Sequence, residues 1–166
     1  MIRRLSMLCA CLMLWGAASL SALEAPEGSA VLTVGGEIST TNVDGVAVFD
    51  RDMLAALDWR EIETYTSFTD GPQRFAGPTL RSLLDAVGAK GDTLIATAIN
   101  DYAIEIPVEH AALYNVLLAM EHNGDRMRIR DKGPIWVVYP LTEEEAEDKP
   151  FDGEMIWQLV RIDVAP

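Results

Sequence analysis

Short β-prone runs, each closed by turn chemistry, fill most of residues 30–164, and one stretch alone carries the full apolar spacing of a well-formed helix. The runs are residues 30–34, 60–68, 93–99, 102–106, 116–120, 135–139 and 155–164. They are rich in Val, Ile, Thr and Tyr, as strands are. The helix is marked by Leu80, Leu83, Leu84 and Val87 at i, i+3, i+4 and i+7, with Pro78 placed in its first turn and Gly88 as a left-handed cap. Shorter helical pieces are expected at residues 50–57, capped by Asp50, and within 107–113. Asn123-Gly124 is a hairpin turn. Asp70-Gly71-Pro72 ends the run before it, and residues 140–153, with Glu143-Glu144-Glu145, form a polar loop. Strands that come in runs, without strict alternation with helices, predict an α+β domain with a mixed or antiparallel sheet and few short helices.

The chain has 166 residues, which at roughly 100–200 residues per domain is one domain. Its first residues are set apart. Arg3 and Arg4 precede an apolar stretch from Leu5 to Trp15, and small residues follow through Ala22. This is the pattern of a secretory leader. It is shorter than the ~20 apolar residues that span a bilayer, so the expectation is a cleaved signal peptide and a mature chain that is not inserted in a membrane. The boundary is placed at residues 1–22, with cleavage between 19 and 25, leaving residues 23–166 as an exported single domain.

Charge and cysteine content narrow the chemistry. There are 13 Lys and Arg against 26 Asp and Glu, a formal charge of −13. Nucleic acid is therefore a poor partner, because binding it requires cationic surface to displace counterions. A protein partner with a basic face is expected to bind less well as salt rises. Both cysteines, Cys9 and Cys11, fall in the leader, so the domain has no thiolate nucleophile and no thiolate metal ligand. The two histidines, His110 and His122, lack ligand spacing and are expected at the surface or in turns. Nucleophile-elbow, Walker and dinucleotide-binding motifs are absent from the sequence.

Three polar and aromatic clusters remain where strands meet loops: Phe68-Thr69-Asp70, Asn100-Asp101-Tyr102, and Arg130-Asp131-Lys132 with Trp136. Asn and Asp serve routinely in turns. Such residues can also converge on a planar heterocycle, with aromatic faces stacking and polar groups reading the ring edge.

Several segments carry a family resemblance. Phe75-Ala-Gly-Pro-Thr-Leu-Arg-Ser-Leu-Leu84, Ala98-Ile-Asn-Asp-Tyr102, Leu117-Leu-Ala-Met120 with Asn123-Gly124, Lys132-Gly-Pro-Ile-Trp-Val-Val-Tyr-Pro140 and Trp157-Gln-Leu-Val-Arg-Ile162 together resemble the molybdopterin-binding domain of the sulfite-oxidase family. The resemblance covers roughly residues 30–164. It implies a sulfite-oxidase-like mixed-sheet fold that holds a pterin-based cofactor. Family enzymes hold molybdenum through a cysteine before the aromatic-x-Gly stretch, where this chain has Thr64-Tyr65-Thr66-Ser67. Hydroxyls do not replace a soft thiolate ligand.

The chain looks more like a sub-group of small periplasmic pterin-binding proteins. Thr69-Asp70-Gly71, Asn100-Asp101-Tyr102-Ala103 and Asp131-Lys132-Gly133-Pro134 match that group, although Phe68 stands where it has a larger aromatic. The resemblance implies a non-catalytic chain that binds a pterin, molybdopterin included, without metal. It would act on the periplasmic domain of a membrane sensor such as a cyclic-di-GMP regulator. Its implied ligand residues are Phe68, Thr69, Asp70, Asn100, Asp101, Tyr102, Arg130, Asp131, Lys132 and Trp136. One of Asp70, Asp101 and Asp131 would accept from the donor edge of the ring, and Lys132 or Arg130 would meet its oxo group. The alternative is a molybdopterin-dependent oxidoreductase with a metal site that lacks cysteine.

Overall fold

A computed structural model describes residues 23–148 and 150–166; the proposed leader, residues 1–22, lies outside them. The chain runs through β1 (Leu32–Gly36), β2 (Ala47–Phe49), α1 (Arg51–Ala55), β3 (Trp59–Thr64), β4 (Gln73–Pro78) and α2 (Leu80–Val87). It continues through β5 (Thr93–Ala98), β6 (Ala103–Pro107), α3 (His110–Leu113), β7 (Leu117–Ala119), β8 (Glu121–His122) and β9 (Asp125–Arg126). A 3-10 turn (Ile129–Asp131), β10 (Trp136–Val138), α4 (Glu143–Glu147) and β11 (Leu159–Ala165) complete it. The strands form a five-stranded sheet ordered β2-β1-β11-β5-β6, a four-stranded sheet ordered β3-β4-β8-β9, and the pair β10-β7. In the larger sheet β1 and β11 are parallel and the other pairs antiparallel. The expected α+β mixed-sheet class is the one observed.

Helix α2 shows how local chemistry sets the core. Leu80, Leu83, Leu84 and Val87 are all buried, against Leu32, Phe49, Leu94 and Ile162 among others. Thr79 caps its start by accepting from the Ser82 amide at 3.2 Å, and Gly88 ends it in the left-handed region. Pro78 is therefore not in the first helical turn as the sequence suggested. It is the last residue of β4, and the hydroxyl of Thr79 supplies the cap. Strand β4 itself was hidden, because Gly77 and Pro78 are poor strand formers; it is held centrally between β3 and β8. The expected strand over residues 60–68 ends at Thr64. The polar loop over 140–153 contains α4, built on a capping box between Thr142 and Glu145.

Gly77 has a steric reason to be glycine. A Cβ there would stand 2.0 Å from the Leu118 carbonyl oxygen, where β4 runs against β7 and the Met120 amide donates to Ala76. Backbone cannot yield as a flexible side chain can. Gly77→Ala is expected to cost about 1–3 kcal/mol or more, read as a lower urea midpoint at unchanged slope. Gly124→Asn, at an open left-handed turn position, is the neutral control. Equal midpoints for Gly77→Ala and the parent would show that the close approach is not required.

The hairpin β8-β9 turns at Asn123-Gly124, with both residues at positive φ. It delivers the chain to the 3-10 turn and so to Lys132, which is itself left-handed at φ 71°.

Candidate functional site

Strand β3 leaves its sheet at Thr64, and the next residues form a tight, hydroxyl-rich turn. Thr64 is fully buried. Its Oγ1 accepts from the Leu141 amide at 2.7 Å and donates to the Tyr139 carbonyl at 3.0 Å. Thr66 Oγ1 lies 2.9 Å from Thr69 Oγ1 and accepts from the Phe68 amide at 3.2 Å. Ser67 donates to Asp152 Oδ2 at 2.6 Å. The hydroxyls of Thr64, Thr66 and Ser67 thus hold the turn and its neighbours. Thr64→Val would leave the Leu141 amide without its acceptor, at a cost of about 1–3 kcal/mol. Thr64→Ser is expected to recover most of the loss in denaturant unfolding. A valine variant as stable as the parent would show that the tie contributes nothing.

That turn points Phe68 into an aromatic group. Its ring centroid is 5.4 Å from Trp157 and 6.2 Å from Trp136, with the rings steeply inclined. Lys132 sits among all three. Its Nζ is 4.1 Å from the Trp136 centroid, 4.9 Å from Trp157 and 5.4 Å from Phe68. It also donates to the Phe68 carbonyl at 3.4 Å. Ring quadrupoles favour a cation at such distances. Burial pulls the Lys132 amine below its ordinary pKa.

Two clefts flank this group. The smaller, about 350 Å³, is lined by Phe68, Asn100, Tyr102, Asp152, Trp157 and Gln158, among others. It brings three of the expected residues together: Phe68, Asn100 and Tyr102. Asn100 and Tyr102 come from the β5-β6 turn, where the Tyr102 amide donates to Asn100 Oδ1 at 3.3 Å. The larger and more open cleft, about 1400 Å³, is lined by Ile99, Arg126, Arg128, Ile129, Arg130 and Asp131, among others. Arg130 and Asp131 therefore line a different cleft from Tyr102. Lys132 lines neither cleft and reaches the smaller one only through its contacts with Phe68 and Trp157.

The remaining expected residues have other places. Asp131 accepts from Arg128 Nε at 2.8 Å and lies 3.7 Å from Arg130 Nε. These arginines, Arg128 foremost, hold its carboxyl below the usual range. Asp70 and Asp101 are exposed and line neither cleft, and Thr69 is engaged with Thr66. Trp136 is core: it is fully buried, and its Nε1 donates to the Met155 carbonyl at 3.0 Å. Of the two tryptophans, the one that lines the smaller cleft is Trp157, 39% exposed.

Sequence reasoning missed Trp157, Gln158 and Asp152 as cleft residues. Trp157-Gln158 was visible only as part of a motif, with nothing local to show which way the indole faced. The backbone decides that. The Val137 amide donates to Ile156 and the Leu159 amide to Ile135, so residues 156–159 lie along β10. Gln158, at φ 55°, donates from its backbone to Lys132 and from Nε2 to Ile129, at 3.0 and 2.8 Å.

Behind the smaller cleft, His110 Nδ1 lies 2.8 Å from Glu154 Oε2 and 3.0 Å from the Tyr139 hydroxyl. Tyr139 donates to the same carboxylate oxygen. Burial, with the hydrogen bond to Glu154, pushes the phenol well above its ordinary pKa. Phe151 stacks on Tyr139 with centroids 4.2 Å apart. His110 is thus a half-buried anchor for residues 151–154, not a surface histidine. His122 stacks on Phe75 at 4.7 Å, and burial, then the Lys132 charge, lowers its pKa.

Among the described residues there is no cysteine and no group of three or more His, Asp or Glu placed to hold an ion. The hydroxyls where a thiolate would stand already serve the backbone and Asp152. Aromatic walls, an amide and a carboxylate in a space of this size match the general make-up of a small-ligand site.

Comparison with known proteins gives the family and the fold. Residues 58–144 match the family model described as the oxidoreductase molybdopterin binding domain. Among solved structures, the sulfane dehydrogenase SoxCD from Paracoccus pantotrophus superposes with a TM-score of 0.62 at 18% identity. The match covers 82% of this chain and 38% of that one, so the likeness is one of fold. No curated protein sequence matches.

Proposed function

Because the chain belongs to the oxidoreductase molybdopterin binding domain family, we propose that it is an exported pterin receptor without redox activity that reports pterin occupancy to the periplasmic part of a membrane sensor. A cyclic-di-GMP regulator is one such sensor. The observation that carries the reading is the state of residues 64–67. Their hydroxyls close hydrogen bonds to Tyr139, Leu141, Thr69 and Asp152 at the place where the family's enzymes carry a soft ligand. What remains beside them is the cleft of Phe68, Tyr102, Trp157, Asn100 and Asp152.

Each group has a chemical task. Trp157 and Tyr102 offer faces to the bicyclic ring. Asn100 can donate and accept at its edge. Asp152 is the carboxylate that the cleft presents, in place of Asp70, Asp101 or Asp131; it can accept from the amino and ring N–H donors. Lys132 is the nearest cation for an oxo group, held on the indoles of Trp136 and Trp157.

The test is direct. The chain is purified from its native periplasm, small molecules released from it are identified by mass spectrometry, and bound metal is measured. A stoichiometric pterin with molybdenum at trace level is the expected result. Molybdenum at one atom per chain would sink the receptor reading in favour of an oxidoreductase.

A further inference from the structure

The larger cleft is not explained by a small ring. At about 1400 Å³ it exceeds the roughly 300–1,000 Å³ of ordinary small-ligand sites. Three exposed arginines, Arg126, Arg128 and Arg130, line it within five residues of sequence, with Asp125 and Asp131 as its two carboxylates. Ile99 and Ile129 stand on its walls 44% and 59% exposed. Local positive charge beside uncovered isoleucine is unusual on a chain with twice as many acidic as basic residues.

We propose that this cleft is the docking groove for an acidic segment of a partner protein that carries an apolar side chain. Arginine forks match carboxylates two bonds at a time, and exposed apolar residues beside them provide the contact that excludes water. Asp131 already sits on Arg128 and near Arg130, so an incoming carboxylate meets arginines already arranged around one. An anionic bilayer is the poorer occupant. A charged plane meets the whole chain's −13, whereas one segment entering the groove meets three arginines against two aspartates, a local excess of positive charge. The partner with a basic face suggested by net charge is thus not the one that fits here.

The groove shares a wall with the smaller cleft. Gln158 lines the smaller cleft, yet its Nε2 donates to the Ile129 carbonyl at 2.8 Å and its carbonyl accepts from the Ile99 amide at 3.0 Å. A ligand that moves Gln158 therefore acts on both exposed isoleucines. In that respect the inference rests on the receptor reading, and it supplies the surface through which occupancy is reported.

The experiment selects random peptides on the immobilised whole chain, then measures the enriched ones by fluorescence anisotropy. Peptides with several acidic residues around an apolar one are expected. Arg126→Glu and Ile129→Asp, both outside the smaller cleft, are each expected to weaken them by about tenfold or more, and added salt to weaken them further. Pterin titration of both variants, followed by tryptophan quenching, is expected to match the parent. Enrichment of basic or neutral peptides, or acidic peptides indifferent to both variants, overturns the proposal. Co-sedimentation with phosphatidylglycerol vesicles that Arg126→Glu abolishes overturns it in favour of a membrane. A chain that selects acidic peptides but binds no pterin leaves the groove standing and sinks the receptor reading.

Discussion

Trp157→Ala is expected to weaken pterin binding by one to two orders of magnitude while leaving the fold almost intact. Stacking of a heterocyclic base on an aromatic side chain contributes about 1–3 kcal/mol when read by alanine substitution, and a pterin offers a comparable face. Trp157 is partly exposed and opens onto the smaller cleft. The backbone bonds on either side of it, from Val137 to Ile156 and from Leu159 to Ile135, do not involve the indole. The loss should therefore be confined to the ligand. Equilibrium titration of pterin fluorescence measures it, and Trp157→Phe is expected to keep a large part of the affinity. An alanine variant that binds as tightly as the parent would remove the smaller cleft as the pterin site.

Trp136→Ala is expected to do the opposite and attack the fold first. The ring is fully buried, with the Phe75 centroid at 5.2 Å and the Phe68 centroid at 6.2 Å. Deleting a buried Trp costs about 3–5 kcal/mol, a large fraction of the roughly 5–15 kcal/mol that holds a domain together. It also strips Lys132 of its nearest aromatic face and leaves the Met155 carbonyl without its donor. The urea midpoint should fall steeply, and ligand binding should fail with it. Trp136→Phe, which keeps a ring and loses the N–H, should lie between. If Trp136→Ala unfolds with the parent's midpoint, the ring does not belong to the core. The pair of tryptophans thus separates recognition from stability, where the sequence pointed to Trp136 alone as a ligand residue.

What was legible in the sequence was local. The i, i+3, i+4, i+7 leucines of α2 and the glycine after them need only neighbours within a few turns, and they read correctly. Asn123-Gly124 specified its hairpin because both residues tolerate positive φ. Strand β4 was not legible, since Gly77 and Pro78 argue against a strand; its place comes from β3 and β8 on either side. Helix α4 left a signal in Thr142-x-x-Glu145, a capping box overshadowed by the run of glutamates around it. The hydroxyls of Thr64 and Thr66 were visible as a missing thiolate. Their bonds to residues some 75 positions away or across a turn were not.

By itself the sequence determined the strand-rich class, the single strong helix, the tight turns and the absence of cysteine after residue 22. These follow from side-chain periodicity, φ preference and composition, which act over a few residues. Only the tertiary structure decided which rings and carboxylates face a cavity. Phe68, Asn100, Tyr102, Asp152 and Trp157 come from the ends of separate strands and loops, and Arg130 and Asp131, adjacent to Lys132 in the chain, line a different cleft. Convergence of that kind is set by how sheets pack and which face each chain crossing presents, and no short-range property of the residues encodes it.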